Sequence, residues 1–303
     1  MKTGGLRLSL RLLLMACTVA GCIRSSSDLP IKDASAGQHR ADTPQAVVTA
    51  SHGKVELLRG ASGAWSDARV GDRLSAKDTL RTDVGEADVA VDGVKVRVHE
   101  ASRIELKNVE KRAMRTRVRG SVESEVDKTG RLDVEIEDSD ATAVSQGGHF
   151  FVTSDGKGVI AVAAVTGSVH LSSKGRSVEV NKGEVSRISG AGGAPSVPAA
   201  ALRRVLLAVQ WPNAKETNRA VVPISGRVEP GSRVFVQGQP VTVEAGGLFR
   251  AEVPLKQGKQ KIAVVTVDAL GRRREVENTV RRDDSLPGVK VKKKLWQWQS
   301  SRH

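Results

Sequence analysis

The sequence predicts an all-β protein with two folded regions, and local patterning carries that prediction. Apolar and polar residues alternate in short runs, as in GEADVAVDGVKVRVHE (85–100), where valines recur on both sides of Asp92-Gly93. That dipeptide favours a two-residue β-hairpin turn, because both turn positions need positive φ. No window shows a convincing 3.6-residue period of an amphipathic helix. For the first region, a sandwich and a solenoid-like stack both fit this pattern.

Shifts in composition divide the chain into segments. A stretch rich in Gly, Ala and Pro separates the two alternating regions. The second region has about seven short strands between turn signals, which predicts a small β-sandwich. The predicted segments are a leader (1–21), a flexible tether (22–47), the first β region (48–190), a linker (191–204), the second β region (205–283) and a basic tail (284–303).

The leader has the organisation of a secretory signal. Three basic residues precede a ten-residue, mostly apolar run (12–21), which covers about half of a ~30 Å hydrocarbon core. Residues 19–22, VAGC, resemble the lipobox of bacterial lipoproteins. The resemblance implies cleavage before Cys22 and lipidation of its thiol, which would anchor the chain in a membrane. Since Ile23 rather than Asp follows the cysteine, it favours the periplasmic side of the outer membrane.

The cysteine and histidine patterns argue against metal and redox chemistry. Cys17 lies in the predicted discarded leader and Cys22 is the predicted lipid site, which leaves no cysteine for a disulfide or thiolate metal site. The six histidines show no HxxxH or HExxH spacing, and no glycine-rich phosphate loop opens a helix. We therefore expect no metal, no cofactor and no enzymatic activity.

The charge favours an anionic partner. The chain carries a formal charge of +14, and removal of three basic leader residues would leave 14 − 3 = +11. On a strand, Lys111, Arg115, Arg117 and Arg119 would share one face and form a candidate site for an anionic partner. They can equally form a solvated outer face, partly neutralised by acidic strands such as 134–138. This stretch lacks aromatic residues for base stacking, so we expect no nucleic acid.

Two further clusters allow alternative interpretations. In the tail, Lys292, Lys293, Lys294, Trp296 and Trp298 suit contact with an anionic membrane or the cell wall, although the composition also fits an ordinary unstructured terminus.

Asp72, Asp78, Arg81 and Asp83 form a polar group in the first region. Aspartates also start turns through local hydrogen bonds, and Arg81 can pair with one of them, so the sequence favours a structural role over a site.

Several landmarks give the first region a family resemblance. They include Gly53-Lys54-Val55, Trp65, Asp78 to Thr82 and the Asp92-Gly93 turn, followed by Gly148-x-Phe150-x-Val152. With these landmarks the region resembles the FecR domain, which implies a β module for protein or glycan contact outside the cytoplasm. Iron-responsive FecR regulators carry a cytoplasmic sigma-factor-binding segment and a spanning helix. Here the domain follows a lipobox, so we expect no direct sigma-factor contact.

The second region carries landmarks of its own. Ile224-Ser225-Gly226, Pro230-Gly231, Gly247-x-Phe249 and Asp268 to Gly271 are similar to those of bacterial Ig-like modules. That resemblance implies a spacer or adhesion module. Taken together, these features predict a lipid-anchored, non-catalytic protein that binds or scaffolds peptidoglycan or another envelope protein. The alternatives are a periplasmic sensing component and, less favoured, a carbohydrate-active enzyme.

Overall fold

The structure, a computed structural model, describes residues 44–60, 63–154, 159–190, 192–212 and 216–285. All regular secondary structure in these ranges is β, which confirms the predicted fold class. Among the described residues there is no helix of the length and hydropathy that a membrane span requires.

Fourteen strands form the first region. They are β1 (Ala46–Leu58), β2 (Trp65–Asp67), β3 (Arg73–Leu74), β4 (Thr79–Val91), β5 (Val94–Val98), β6 (Ser102–Glu110), β7 (Ala113–Val126), β8 (Arg131–Ile136), β9 (Thr142–Ser145), β10 (Gly148–Ser154), β11 (Val159–Ser173), β12 (Arg176–Asn181), β13 (Glu184–Ser189) and β14 (Ala199–Ala200). The predicted hairpin at Asp92-Gly93 is confirmed, with Val91 opposite Val94. The predicted linker contains β14, which pairs with β13.

Long strands that change partners midway shape this region. The first half of β7 pairs with β6 and β8, and its second half pairs with β5 and β10. The long strand β11 changes partners in the same way, from β10 and β13 to β9 and β12. The continuous 14-stranded sheet therefore folds over a single core of Val, Leu, Ile, Ala and Phe, as a sandwich rather than a stack.

Glycines lie where the long strands change partners. The clearest case is the pair Gly53 and Gly85, which face each other on β1 and β4. Gly53 has φ of 71°, and a Cβ there would lie 2.2 Å from the carbonyl oxygen of Val84. Only glycine permits this backbone approach. On β7, Gly120 has φ of 99°, and Val122 beyond the bend returns to the core.

Eight strands form the second region. They are β15 (Leu207–Gln210), β16 (Glu216–Thr217), β17 (Val221–Val228), β18 (Arg233–Val236), β19 (Gln239–Val241), β20 (Leu248–Pro254), β21 (Gly258–Val267) and β22 (Arg273–Arg282). A three-stranded sheet, β15-β17-β20, and a five-stranded sheet, β16-β22-β21-β18-β19, enclose a separate core. The region is a small β-sandwich, as predicted.

The two regions pack against each other, and the described residues of both belong to one compact unit. In β11, Ile160 and Val162 belong to the first core, while Ala161 and Ala163 on the opposite face pack against Ala269. The strand is therefore buried on both faces, which explains its uninterrupted apolar run. Close contact continues at Gly271, where a Cβ would lie 2.5 Å from the ring of Phe151.

We expect Gly53→Ala to destabilise the fold strongly, because the added Cβ meets the Val84 carbonyl and strains a positive φ. The expected loss in the free energy of unfolding is about 2–4 kcal/mol, measured by chemical denaturation. Gly175→Ala is the matched control, since Gly175 has φ of 69° but open space around its Cβ position. Equal losses for the two variants would contradict the proposed role of the close approach.

Candidate functional site

The predicted basic face of β7 exists in part. Met114, Thr116 and Val118 are buried and the intervening arginines are exposed, so the predicted alternation is confirmed. Lys111 is not on the strand as predicted but in the turn between β6 and β7. The turn includes Arg112 with φ of 65°, and reversal of the chain there removes Lys111 from the row of strand residues.

Two of the predicted arginines are neutralised by the neighbouring strand. β7 and β8 run parallel with Arg115 opposite Asp133 and Arg117 opposite Glu135. The ion-pair distances are 3.3 Å and 3.2 Å, respectively. This pairing matches the alternative that the sequence left open, an outer face neutralised by acidic residues. Arg119 differs, because within the described residues it has no carboxylate within ion-pair distance.

Arg119 belongs to a row of three arginines that crosses three strands. Arg81 on β4 is opposite Arg103 on β6, and Arg103 is opposite Arg119 on β7. Arg81 pairs with Glu56 at 2.8 Å, and Arg103 pairs with Glu137. Like charges directly opposite each other destabilise a sheet; Glu56 and Glu137 offset that repulsion at two arginines, and Arg119 is left without a carboxylate among the described residues.

In the polar group that includes Arg81, Asp78 has a structural role. Asp78 is buried and accepts hydrogen bonds from the backbone N–H groups of Gly60 and Ser75. The expected pairing of Arg81 with an aspartate is wrong. Register places Arg81 opposite Glu56, and its guanidinium also lies 3.9 Å above the ring of Trp65.

A fourth arginine reaches the row from the second region. Arg233 at the start of β18 donates to the carbonyl oxygens of Glu100 at 2.7 Å and Ala101 at 3.1 Å. Burial lowers the pKa of Arg233 to about 10, against an opposing effect of the Glu100 charge, so the guanidinium stays protonated at neutral pH. Within the described residues no carboxylate oxygen lies within 4.0 Å of it.

These four arginines line one cavity at the junction of the two regions, with a volume of about 420 Å³. Val234, Pro240, Val241 and Val243 supply its apolar side. Four arginines and the two acids that pair with them, Glu56 and Glu137, give a balance of 4 − 2 = +2. We call this cavity the arginine pocket; it suits a carboxylate or phosphate attached to an apolar group.

An acidic groove adjoins the arginine pocket on the same sheet face, and Arg103 lines both. The groove has a volume of about 620 Å³ and includes Trp65. Its charged lining consists of two arginines and five acids, and Lys107 and Lys174 pair with two of those acids, which gives a balance of 4 − 5 = −1: Arg103, Arg117, Glu105, Glu135, Glu137, Asp138 and Asp140. The protein thus presents a cationic pocket and an anionic groove side by side.

Histidine and glutamate side chains converge on the other layer of the sheet. Ligand atoms of Glu123, Glu125 and His149 all lie within 4.8 Å of one another. His99 Nε2 lies 3.6 Å from the Glu123 carboxylate. The sequence showed no histidine spacing for this group, because its members come from β7, β10 and the end of β5.

Sequence reasoning missed most of the arginine pocket. Of its arginines only Arg119 was predicted, although the alternation of RIELK (103–107) already places Arg103 on an outer face. No sequence signal connects Arg233 with these residues, which lie more than 100 positions away. Cys22 and the predicted tail contacts at 292–298 lie outside the described residues.

Comparison with known proteins gives low similarities. No family model and no curated protein matches the chain. Two crystal structures of a candidate anti-sigma factor from Parabacteroides distasonis are 15% and 16% identical, each with a TM-score of 0.35 over 40% of this chain. A polysaccharide lyase is 8% identical, with a TM-score of 0.21 over 80% of this chain. This chain covers 59%, 57% and 40% of those three structures, respectively. Such similarities do not define a shared family.

Arg233→Met should weaken the junction, because it removes the hydrogen bonds to Glu100 and Ala101 but keeps an apolar stem. We expect a loss of about 1–3 kcal/mol in the free energy of unfolding, measured by chemical denaturation. Arg250→Met, at an exposed position of β20, is the control and should change stability little. Similar losses of unfolding free energy in the two variants would show that the Arg233 hydrogen bonds do not stabilise the junction.

Proposed function

We propose that this chain is a lipid-anchored, non-catalytic binding protein of the bacterial envelope, with peptidoglycan as its partner. The lipobox resemblance at Cys22 supports the anchor and the outer-membrane location. The observation that carries the binding role is the arginine pocket, a cavity lined by four arginines of which only two pair with acids among the described residues. Guanidinium groups bind carboxylates and phosphates through charge-assisted, often bidentate hydrogen bonds.

The combination of charges supports a peptidoglycan partner. Peptide stems of peptidoglycan carry carboxylates, amino groups and short apolar side chains. Carboxylates match the arginine pocket, and amino groups match the acidic groove beside it. Trp65 in that groove adds an aromatic surface on which sugars pack. A surface with both charges side by side also disfavours a uniform polyanion such as nucleic acid, because the groove repels it.

The position of the arginine pocket favours a sensing component as the second candidate. Arg81, Arg103 and Arg119 come from the first region, and Arg233 with the apolar wall comes from the second. A ligand in the pocket contacts both regions and stabilises their junction, which is the physical requirement for relaying its presence to a further protein. A sensing role agrees with the resemblance to the FecR domain and requires no direct contact with a sigma factor.

Arg119→Gln is expected to weaken retention of the chain on purified peptidoglycan sacculi about tenfold or more, because it removes one of the two pocket arginines that have no acidic partner among the described residues. The measurement is co-sedimentation of the full detergent-solubilised chain with sacculi at increasing salt. Arg115→Gln is the matched control on the same strand, since Arg115 pairs with Asp133 outside the pocket. Its retention should equal that of the unchanged protein.

Three outcomes would contradict the proposal. Equal loss in both variants would indicate diffuse charge attraction rather than the arginine pocket. No retention of the unchanged chain at low salt would exclude peptidoglycan and leave the sensing role. Release of soluble fragments from the sacculi would contradict the non-catalytic assignment.

Cys22→Ser should abolish the membrane anchor. We expect the unchanged chain to incorporate labelled fatty acid and to enter the detergent phase of fractionated cells, since several acyl chains bury enough methylene groups for stable insertion. The variant should lose both properties, while Cys17→Ser, in the predicted discarded leader, should keep them. Membrane retention of unlabelled Cys22→Ser would overturn the lipoprotein assignment.

A further inference from the structure

A group of histidines and glutamates at the junction-facing layer of the first region has the chemistry of a metal site. Glu123 and Glu125 lie on the same face of β7, and His149 on β10 is directly opposite Glu125. His149 Nε2 and Glu123 Oε1 are 2.7 Å apart. His99, just beyond the end of β5, places its Nε2 atom 3.6 Å from the other oxygen of the same carboxylate. Glu123 is thus between two imidazole nitrogens.

The second observation is the unsatisfied state of His99. Its Nε2 atom is buried and has no hydrogen-bond partner, which is rare for a polar atom inside a protein. An imidazole nitrogen without a hydrogen-bond partner, next to a carboxylate, is the kind of donor pair that a divalent transition metal binds.

The charges around the group favour a cation. Arg97 and Lys95 are both held by Asp88, at 2.8 Å and 2.9 Å, and Arg97 also lies 3.6 Å from the Glu123 carboxylate. The charge of Arg233 acts on His99 as well. Around the group, three basic residues therefore stand against four acids, a balance of 3 − 4 = −1: Lys95, Arg97, Arg233, Glu86, Asp88, Glu123 and Glu125.

We propose that Glu123, Glu125 and His149, whose ligand atoms all lie within 4.8 Å of one another, bind one Zn²⁺ ion, with the unpartnered Nε2 atom of His99 as an additional ligand. Around a tetrahedral zinc with bonds of about 2.0–2.1 Å, ligand atoms lie about 3.3 Å apart. The distances from Glu123 to His149 and to His99, 2.7 Å and 3.6 Å, lie on either side of that value. Phe151, whose ring centroid is 5.3 Å from that of His149, provides an apolar wall.

The site adjoins the junction but is independent of the proposed function. His99 directly precedes Glu100, whose carbonyl oxygen receives the Arg233 hydrogen bond. Phe151 packs under Gly271 of the second region. A metal that fixes His99 and the ring next to Phe151 stabilises the surface on which the second region packs. The ligand class is a divalent first-row metal that favours nitrogen and carboxylate donors, and zinc is its commonest member.

The test is a zinc titration of the full, tag-free chain in detergent against a competing chelator. We expect one equivalent to bind with a Kd of about 1 µM or lower, and the thermal midpoint to rise with zinc concentration. His149→Ala and Glu123→Gln should each weaken binding by more than about 100-fold, beyond the 10–100-fold typical of residues behind the ligands. His170→Ala is the matched control, an exposed strand histidine outside the group, and should bind like the unchanged chain.

Glu123→Gln preserves side-chain size, so it remains informative if His149→Ala does not fold. Unchanged zinc affinity in Glu123→Gln, or no one-equivalent binding by the unchanged chain, would overturn the site. Loss of binding in His170→Ala equal to that in His149→Ala would do the same, because the metal would then be held by scattered surface histidines. Failure of the zinc site and failure of the proposed function can be told apart by testing the zinc-free chain on sacculi. If that chain is still retained by peptidoglycan, the proposed function stands whether or not zinc binds.

Discussion

The packing of the second sandwich on the first is the interaction on which the other features depend. The small alanine side chains on the outer face of β11 allow the second region to approach closely, at Ala269 and Gly231. The same contact carries Arg233 to the carbonyl oxygens of Glu100 and Ala101. Burial of apolar surface supplies the driving force, and the buried hydrogen bonds set the register of the two bodies. One wall of the arginine pocket exists only because of this contact.

Charge in this protein is organised by cross-strand register rather than by composition. The formal charge of +14 suggests a generally basic surface, yet most of the β7 arginines lie opposite acids on β8. Unneutralised positive charge is concentrated where Arg119 meets Arg103 and Arg233, and the neighbouring groove is acidic. Because exposed charges are screened within about 10 Å at 0.1 M ionic strength, such local balances matter more for a partner than the total.

Much of the fold could be predicted from the sequence, and much less of the sites. Alternation and the Asp92-Gly93 turn predicted strands correctly, since side-chain period and turn chemistry are local properties. Arg119 was predicted because its face on β7 follows from the same alternation. The residues that lie beside Arg119 could not be predicted, because the order of the strands in the sheet determines which residues are opposite each other. The histidine group was missed for that reason: His99 and His149 are 50 positions apart and meet only through β7.

The sequence by itself determined the β class, the turns and the residues that face the core, because each depends on neighbours within a few positions. It also determined which residue types were available, including the arginines and the two histidines. The tertiary structure alone decided that Arg117 is neutralised while Arg119 is not, that β11 is buried on both faces, and that Arg233 completes a pocket. Those outcomes depend on pairing between distant strands, where a shift of one residue would reverse every face.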